Sequence, residues 1–235
     1  MCSAALLADV SDRPVMRVTT FQPVDAWHDL DRHLRELMPD FASHAGLYGV
    51  WVGRRGPGYG DDRVVVSMWS SGRAQSAAYT VPEALDRLSQ AAPAILDTRI
   101  EVLQMRIREW FPRDRPMRIL RIYRGRTRED ELELYLSEAR AGVQVDGSRE
   151  DGPGGVACAV TQEGGFVTAS LWADWPSIEK ATGGDVKHPL LTRNAARLVA
   201  GEPAHFELIT ALDGQGEETG AQVEPTEDST VEART

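Results

Sequence analysis

The chain states one pattern twice, 101 to 103 residues apart, and this repetition constrains its fold more than any single motif. Pro-Val-Met-Arg-Val, from Pro14 to Val18, returns as Arg-Pro-Met-Arg-Ile, from Arg115 to Ile119, and Ser67-Met68-Trp69 returns as Ser170-Leu171-Trp172. A later helix start, Val81-Pro82, has a counterpart in His188-Pro189. Solenoid units repeat every 20 to 50 residues or so, so a period this long predicts a duplicated domain. The boundaries that follow are a flexible leader over 1–14, a first repeat over 15–110, a linker over 111–116, a second repeat over 117–211 and an acidic disordered tail over 212–235.

Each copy predicts the same order of elements. In the first, Met16 to Phe21 reads as a strand, and Val24 to Met38 as a helix with Ala26, Leu30, Leu34 and Leu37 at helical spacing, ended by Pro39. Strands follow at Leu47 to Gly53 and Arg63 to Trp69, then a helical piece from Arg73, a helix opened by Pro82 and a strand from Thr98 to Met105. In the second copy Met117 to Tyr123 is a strand, and Thr127 with Asp130 resembles a capping box. Gly155 to Thr161 and Phe166 to Trp172 form a hairpin across Gln162 to Gly165, where Gly164-Gly165 suits a tight turn. Trp175 to Thr182 and Leu190 to Val199 are helical pieces, and Ala204 to Thr210 closes the copy.

This β-α-β-β-α-β order is the ferredoxin-like motif, an α+β unit with helices on one face of an antiparallel sheet. The bare face needs a cover, and two copies packed face to face supply it within one chain, as two chains do in a homodimer. On the hairpin strands, Val64, Val66, Met68 and Val167, Ala169, Leu171 share the parity expected to lie under the helices. The opposite parity carries Val65, Ser67, Trp69 and Phe166, Thr168, Ser170, Trp172, a mixture of hydroxyls and aromatics expected to line a lumen or inter-sheet pocket. The plainer alternative makes both tryptophans large core fillers between the sheets.

Charge and cysteine content exclude several classes. The net charge is −10, but residues 212–235 hold seven acids against Arg234 alone and so account for −6 of it. That tail is too poor in large apolar residues to offset the entropy of ordering. The remainder has no basic surplus for nucleic acid, no segment suits a membrane span, and the N-terminal stretch lacks the basic start of a secretory signal, so a cytoplasmic location is expected. Cys2 and Cys158 form neither a disulfide framework nor a metal knuckle, and no metal is expected.

Tandem ferredoxin-like units, each with a Ser-hydrophobic-Trp strand end running into a helix, resemble the dimeric α/β barrel superfamily and, within it, the antibiotic biosynthesis monooxygenase (ABM) domain proteins. The stretch from Ser170 to Trp175, continuing through Ala181-Thr182-Gly183-Gly184-Asp185, is most similar to that family. The resemblance implies a pocket for an aromatic or polyketide-like small molecule, with oxidation by molecular oxygen and neither metal nor flavin. Other members degrade haem with a first-strand Asn, a Trp and a His. Here His188 falls near the expected His, but the sole asparagine, Asn194, lies late in the second copy, which disfavours haem degradation. The phenol-oxidising members also use an Asn and a nearby Tyr, and neither has an obvious counterpart here.

The remaining candidates are few. His28 and His33, five apart, point about 140° away from one another on a helix and cannot chelate one metal. His44 falls in a loop and could shuttle a proton. His205 alternates with Glu207 on the last strand, and such a pair could act as base and orienter or sit as a hydrogen-bonded rim pair. Arg121 and Tyr123 share a strand face and could bind an anionic or phenolic ligand. The glycine-rich Gly53 to Gly60 stretch joins two strands and is a hairpin connection, since a phosphate cradle leads from a strand into a helix.

Two functional readings stand. One is a cofactor-independent monooxygenase with catalytic His188 or His205 and a substrate pocket of Trp69, Trp172, Ser67, Ser170, Thr168, Tyr123 and Arg121. It predicts an enclosed cavity of roughly 300 Å³ or more with a convergent His or Tyr. The other is a non-catalytic barrel that binds a small ligand or serves as a stress-response module, with a filled core. In either case the fused pair is expected to act as a monomeric pseudo-dimer or to associate as a homodimer. A single site is expected where the copies disagree, at His188 against Val81, Tyr123 against Gln22 and Cys158 against Val50 or its neighbour.

Overall fold

A computed structural model describes residues 12–23, 27–55, 62–80, 95–128, 130–161, 164–190 and 192–213. Residues 1–11 of the leader, the Pro82 helix, the tip of the glycine-rich hairpin and residues 214–235 of the acidic tail lie outside them, whereas Leu212 and Asp213, which the sequence assigns to the disordered tail, end the last strand. Among the described residues the order is β1 (Val15–Pro23), α1 (Trp27–Ala42), β2 (Leu47–Arg54), β3 (Arg63–Trp69), α2 (Gly72–Ala78), β4 (Ile95–Trp110), β5 (Ile119–Thr127), α3 (Leu132–Gly147), β6 (Gly155–Val160), β7 (Gly165–Trp172), α4 (Trp175–Thr182), a 3₁₀ turn (Arg193–Arg197) and β8 (Leu198–Asp213). The chain is therefore α+β.

The strands close into a barrel in the order β1-β3-β2-β8-β5-β7-β6-β4. Every pairing is antiparallel. Each half contributes four consecutive strands in one order, β4-β1-β3-β2 and β8-β5-β7-β6. The halves join because β4 and β8, at 16 residues each, are about twice the length their patterns suggest. β4 pairs with β1 up to Gln104 and with β6 from Gln104 onward, while β8 pairs with β5 through Glu207 and with β2 from Glu207 to Asp213. Closure removes the open edges that would otherwise recruit other chains.

Strand parity is the reverse of the expected one. Val64, Val66, Met68, Val167, Ala169 and Leu171 fill the barrel interior with Met16, Trp51, Met105, Met117 and Phe206. Alanines at 157, 159, 169, 173 and 211 join that cluster and leave room for Trp51 and Phe206, the large-with-small packing that fills a narrow barrel. The other parity faces outward under helices. Val65 and Trp69 pack with Leu30, Leu34, Leu37 and Phe41 of α1, Phe166 with Tyr135 and Leu136 of α3, and Trp172 with Ile178 of α4. Parity fixes which residues share a face and says nothing of which face meets the helices. Here the bulkier, partly polar set lies beneath them.

Smaller differences have local causes. Pro39 lies inside α1, which runs on to Ala42; so near the C-terminus, the ring removes one hydrogen bond without a break in the helix. Thr127 ends β5 and hydrogen-bonds the Gly164 carbonyl instead of capping α3, whose preceding residue Glu131 makes no side-chain cap. Past Leu190 the chain forms only the short 3₁₀ turn. The hairpin after β6 is as expected at Gly164, with φ of 75°.

Candidate functional site

Register identifies which residues of the two halves correspond. Trp69 lies opposite Val15 and Ser67 opposite Arg17, whereas Trp172 lies opposite Ile119 and Ser170 opposite Arg121. Arg17 therefore matches Arg121, and Thr19 matches Tyr123. The Met-Arg echo at Met16-Arg17 and Met117-Arg118 is out of register by three residues, although both methionines join the interior cluster. Likewise Tyr123 is matched by Thr19 in place of Gln22, and Cys158 by Val52, since these lie opposite Thr168 and Val65.

Both halves build the same outward-facing device, Arg, Ser and Trp. The Trp69 indole donates to Ser67 Oγ at 2.9 Å, and the Trp172 indole donates to Ser170 Oγ at 2.8 Å. Burying an indole N–H without an acceptor would cost about 1–3 kcal/mol, and the serine two residues earlier on the same strand face removes that cost. Beyond this triad the halves diverge.

In the first half Ser67 Oγ lies 3.3 Å from the Tyr79 hydroxyl. Tyr79 follows α2 and packs between Phe41 and Trp69, at ring distances of 5.1 and 6.3 Å. The Arg17 guanidinium stacks 3.7 Å from the Tyr79 ring centre and donates from Nε to Thr19 Oγ1 at 3.1 Å. Burial raises the Tyr79 pKa, an effect opposed by Arg17 and Ser67, so Tyr79 is a neutral hydrogen-bond donor at physiological pH. Burial also lowers the Arg17 pKa. Arg17, Thr19 and Tyr79 face a cavity of about 430 Å³ between α1 and the sheet, whose other walls are mostly apolar, among them Leu34, Leu37, Phe41, Val65 and Ile100, but include Asp97 and Thr98. A cation and a phenol at one side of an apolar chamber can hold a flat apolar molecule by one oxygen.

In the second half the matching space is nearly filled. Tyr123 replaces Thr19, and its ring packs 6.1 Å from Phe166, which stacks on Tyr135 of α3 at 4.5 Å. Gly125 and Gly201 are paired across β5 and β8. A Cβ at Gly125 would lie 2.3 Å from the Phe166 ring, and one at Gly201 would lie 1.8 Å from the Tyr123 hydroxyl, so these glycines are what admits the two aromatics. A cavity of about 70 Å³ remains, lined by Tyr123, Tyr135, Cys158, Thr168, Ser170, Pro189 and Asn194 among others. Burial pushes the Cys158 thiol up to about 11, which makes it an inert filler.

The candidates named from sequence thus separate. Tyr123, Thr168 and Ser170 line the small cavity, and Arg121 is buried on the same strand face without being part of its lining. Ser67 and Trp69 support Tyr79 behind the large one, and Trp172 is a packed support in the second half. None lies in a lumen between sheets. His188 is largely exposed, 3.5 Å from Asp185, and lines neither cavity. His205 faces outward beside Arg121 with its ring 5.1 Å from Trp175. Burial, then Arg121 and Arg55, lowers its pKa to about 4. Glu207 does share its face, but pairs with Arg54 at 2.9 Å in place of orienting the imidazole. His33 Nδ1 lies 3.8 Å from Glu36. Among the described residues no cluster of three His, Cys, Asp or Glu could hold a metal ion, and no helix is long and apolar enough to cross a membrane.

Sequence reasoning missed Arg17, Thr19, Tyr79 and Asn194. Register could have exposed the first two, since Arg17 follows from Arg121 once Ser67 and Ser170 are aligned. Tyr79 and Asn194 lie after a helix and in a 3₁₀ turn, where no periodicity marks a face.

No family model matches this chain, and no curated protein matches it. Solved structures do share its fold. A "putative monooxygenase" from Lactobacillus acidophilus NCFM superposes with a TM-score of 0.71 at 10% identity, covering 88% of this chain and 99% of its own. A protein of the same description from Fusobacterium nucleatum gives 0.71 at 10% identity, covering 88% and 98%. An anthrone oxidase-like protein gives 0.56 at 13% identity, covering 90% and 98%. At 10–13% identity these likenesses are likenesses of fold.

Proposed function

We propose that this protein is a cofactor-independent monooxygenase of an aromatic or polyketide-like small molecule, with its substrate site in the first half. It is built as two tandem ferredoxin-like repeats, over 15–110 and 117–211, that make a single-chain counterpart of a dimeric α/β barrel. The observation that carries the reading is the cavity of about 430 Å³ with apolar walls and the Arg17–Tyr79 pair at its polar side. Its volume falls in the range of about 300–1,000 Å³ used for small molecules, with few and convergent polar groups. The names of the fold neighbours, monooxygenase and anthrone oxidase-like protein, point the same way.

The residues present fit chemistry in which the substrate supplies the electrons. An anthrone gives up one methylene proton to solvent, which returns it to the water formed, and Arg17 and Tyr79 hold the resulting oxyanion by charge and by a donated hydrogen bond. The Trp69–Ser67–Tyr79 chain orients that phenol. Dioxygen oxidises a ring methylene to a carbonyl: one oxygen atom enters the new C=O, and the other leaves as water with the two methylene hydrogens, so no external reductant is needed. His188 and His205 have no part in this arrangement.

Oxygen uptake with a panel of anthrones, phenols and hydroquinones tests the reading, beside a hemin titration followed by absorbance. Wild-type protein is expected to consume oxygen with at least one substrate and to leave the hemin spectrum unchanged. Arg17→Met is expected to lower kcat/KM by about 10²-fold, the size of a lost oxyanion donor, and Tyr79→Phe by about tenfold. Binding without uptake would replace this reading with the non-catalytic ligand-binding barrel, which the absence of a histidine from the described cavity walls favours. Neither binding nor uptake would end both.

A further inference from the structure

The chamber in the first half carries charges of opposite sign, and the protein neutralises neither. Arg17 and Asp97 both line it. Among the described residues Arg17 makes no ion pair: its Nε donates to Thr19 Oγ1 at 3.1 Å, and its face stacks on Tyr79. Asp97 is exposed, and its carboxylate accepts only the Thr98 amide, on Oδ1 at 2.8 Å. Register sets the two apart, since Arg17 lies opposite Val102 and Asp97 opposite Gln22. From Arg17 to Gln22 the strand advances about 16 Å, at roughly 3.3 Å per residue, so the two groups stand at separate ends of the space.

The hydrogens at the Arg17 end have a fixed direction. An indole N–H only donates, so Ser67 Oγ, which accepts it from Trp69, keeps one hydrogen of its own to place. Ser67 is fully buried, and its one other partner among the described residues is the Tyr79 hydroxyl at 3.3 Å. Were Tyr79 to donate to it, the serine hydrogen would be stranded in the interior, which folded proteins avoid. Ser67 therefore donates to Tyr79, and the Tyr79 hydrogen is left for the chamber. Thr19 Oγ1, which accepts from Arg17, also has a hydrogen to give, and a guanidinium has nothing else. One end thus offers hydrogens and positive charge, the other a carboxylate, within walls that are otherwise mostly apolar.

We infer that the chamber recognises a flat, elongated molecule of two or three fused aromatic rings, with an oxyanion or carbonyl at one end and a hydroxyl or amine hydrogen at the other. On the premise that this chamber is the proposed substrate site, the molecule also has a fixed orientation, its acceptor end at Arg17 and Tyr79 and its donor end at Asp97. The long Arg17 side chain takes up part of the spacing along β1, and the fused rings bridge the rest. Asp97 is then a specificity-determining residue. A molecule without the distal hydrogen leaves that carboxylate to water.

Equilibrium dialysis of the full chain against 2-naphthoate, 6-hydroxy-2-naphthoate and 6-methoxy-2-naphthoate tests this. The carboxylate of each serves as the acceptor end, and only the hydroxy compound carries a distal hydrogen. It is expected to bind about five- to tenfold more tightly than its methoxy counterpart, the size of a hydrogen bond to a partly solvated charge. In Asp97→Ala, a change at an exposed position, that preference is expected to vanish, while Asp97→Asn, which keeps a carbonyl oxygen, retains part of it. Arg17→Met is expected to weaken all three compounds by about tenfold or more, as loss of a charged partner does. A hydroxy compound that binds no better than the methoxy one, or a preference that survives Asp97→Ala, overturns the inference, while the Arg17 dependence keeps the chamber as the ligand site. Affinities that Arg17→Met does not change remove the ligand from this chamber, and then both readings fall.

Discussion

In the first half α1 is tied to the barrel wall by charge, whereas in the second α3 is tied at the matching place by aromatic stacking. Arg63 of β3 is fully buried and donates to Asp31 of α1 at 2.5 Å, with Arg54 at 3.5 Å from the same carboxylate. Phe166 of β7, which faces Gly125 as Arg63 faces Phe21, instead stacks on Tyr135 of α3. An ion pair holds a helix through a narrow polar contact and leaves apolar space beside it. A stack of Phe166, Tyr135 and Tyr123 fills that space. The two cavities, about 430 and 70 Å³, follow from this choice and from Thr19 against Tyr123.

The largest expected effect comes from breaking each tie. Asp31→Asn is expected to cost about 3–5 kcal/mol in chemical unfolding, because it takes the carboxylate from a buried guanidinium, and Phe166→Ala a similar amount through the cavity it leaves. The comparison sharpens in the double variant Asp31→Leu/Arg63→Met, expected to recover most of the first loss because an apolar pair avoids the desolvation penalty. No recovery would mean that the ion pair supplies something beyond docking.

Next in size is the exchange at the cavity floor. Thr19→Tyr imports the second half's filler and is expected to weaken ligand binding to the first-half chamber at least tenfold, measured by fluorescence titration of a ligand found in the oxygen-uptake panel. Its effect on stability is expected to stay within about 1–3 kcal/mol, the usual range for overpacking. Unchanged affinity would show that the ligand sits elsewhere.

The smallest effect is in pH. The His205 pKa is lowered to about 4 in the folded protein against about 6.5 when unfolded. Below pH 6.5 the unfolded chain takes up a proton that the folded chain refuses, so stability falls as pH drops from 6.5 toward 4 and then levels. Partial exposure and screening reduce this to about 1–2 kcal/mol. His205→Gln is expected to flatten that part of the stability profile. An identical slope in the variant would show that the imidazole is solvated.

The legible part of this molecule is the part written in periodicity. The order of the strands, the hairpin at Gly164 and the pairing of Ser67 with Trp69 and Ser170 with Trp172 on one face could be read directly. Which face met the helices could not, because Val64, Val66 and Met68 are as apolar as a helix-facing set should be and proved to fill the barrel. The length of β4 was hidden by Arg106, Arg108 and Glu109, whose charges break the apolar alternation where the strand crosses into the second half. Arg106 pairs with Glu133 of α3 there. The site was least legible of all, since Arg17 and Tyr79 are brought together by an α2 terminus that no local pattern announces.

The two long strands carry a consequence for synthesis. When the ribosome has made everything through α4, β2 still presents a bare edge, and β5 lacks one neighbour. Both wait for β8, the last strand to emerge. The ring cannot shut until residues near 213 leave the exit tunnel, and contacts so distant along the chain form slowly. During that interval the nascent protein is an open sheet, and whatever shields the β2 edge then decides how much of it survives to become a barrel.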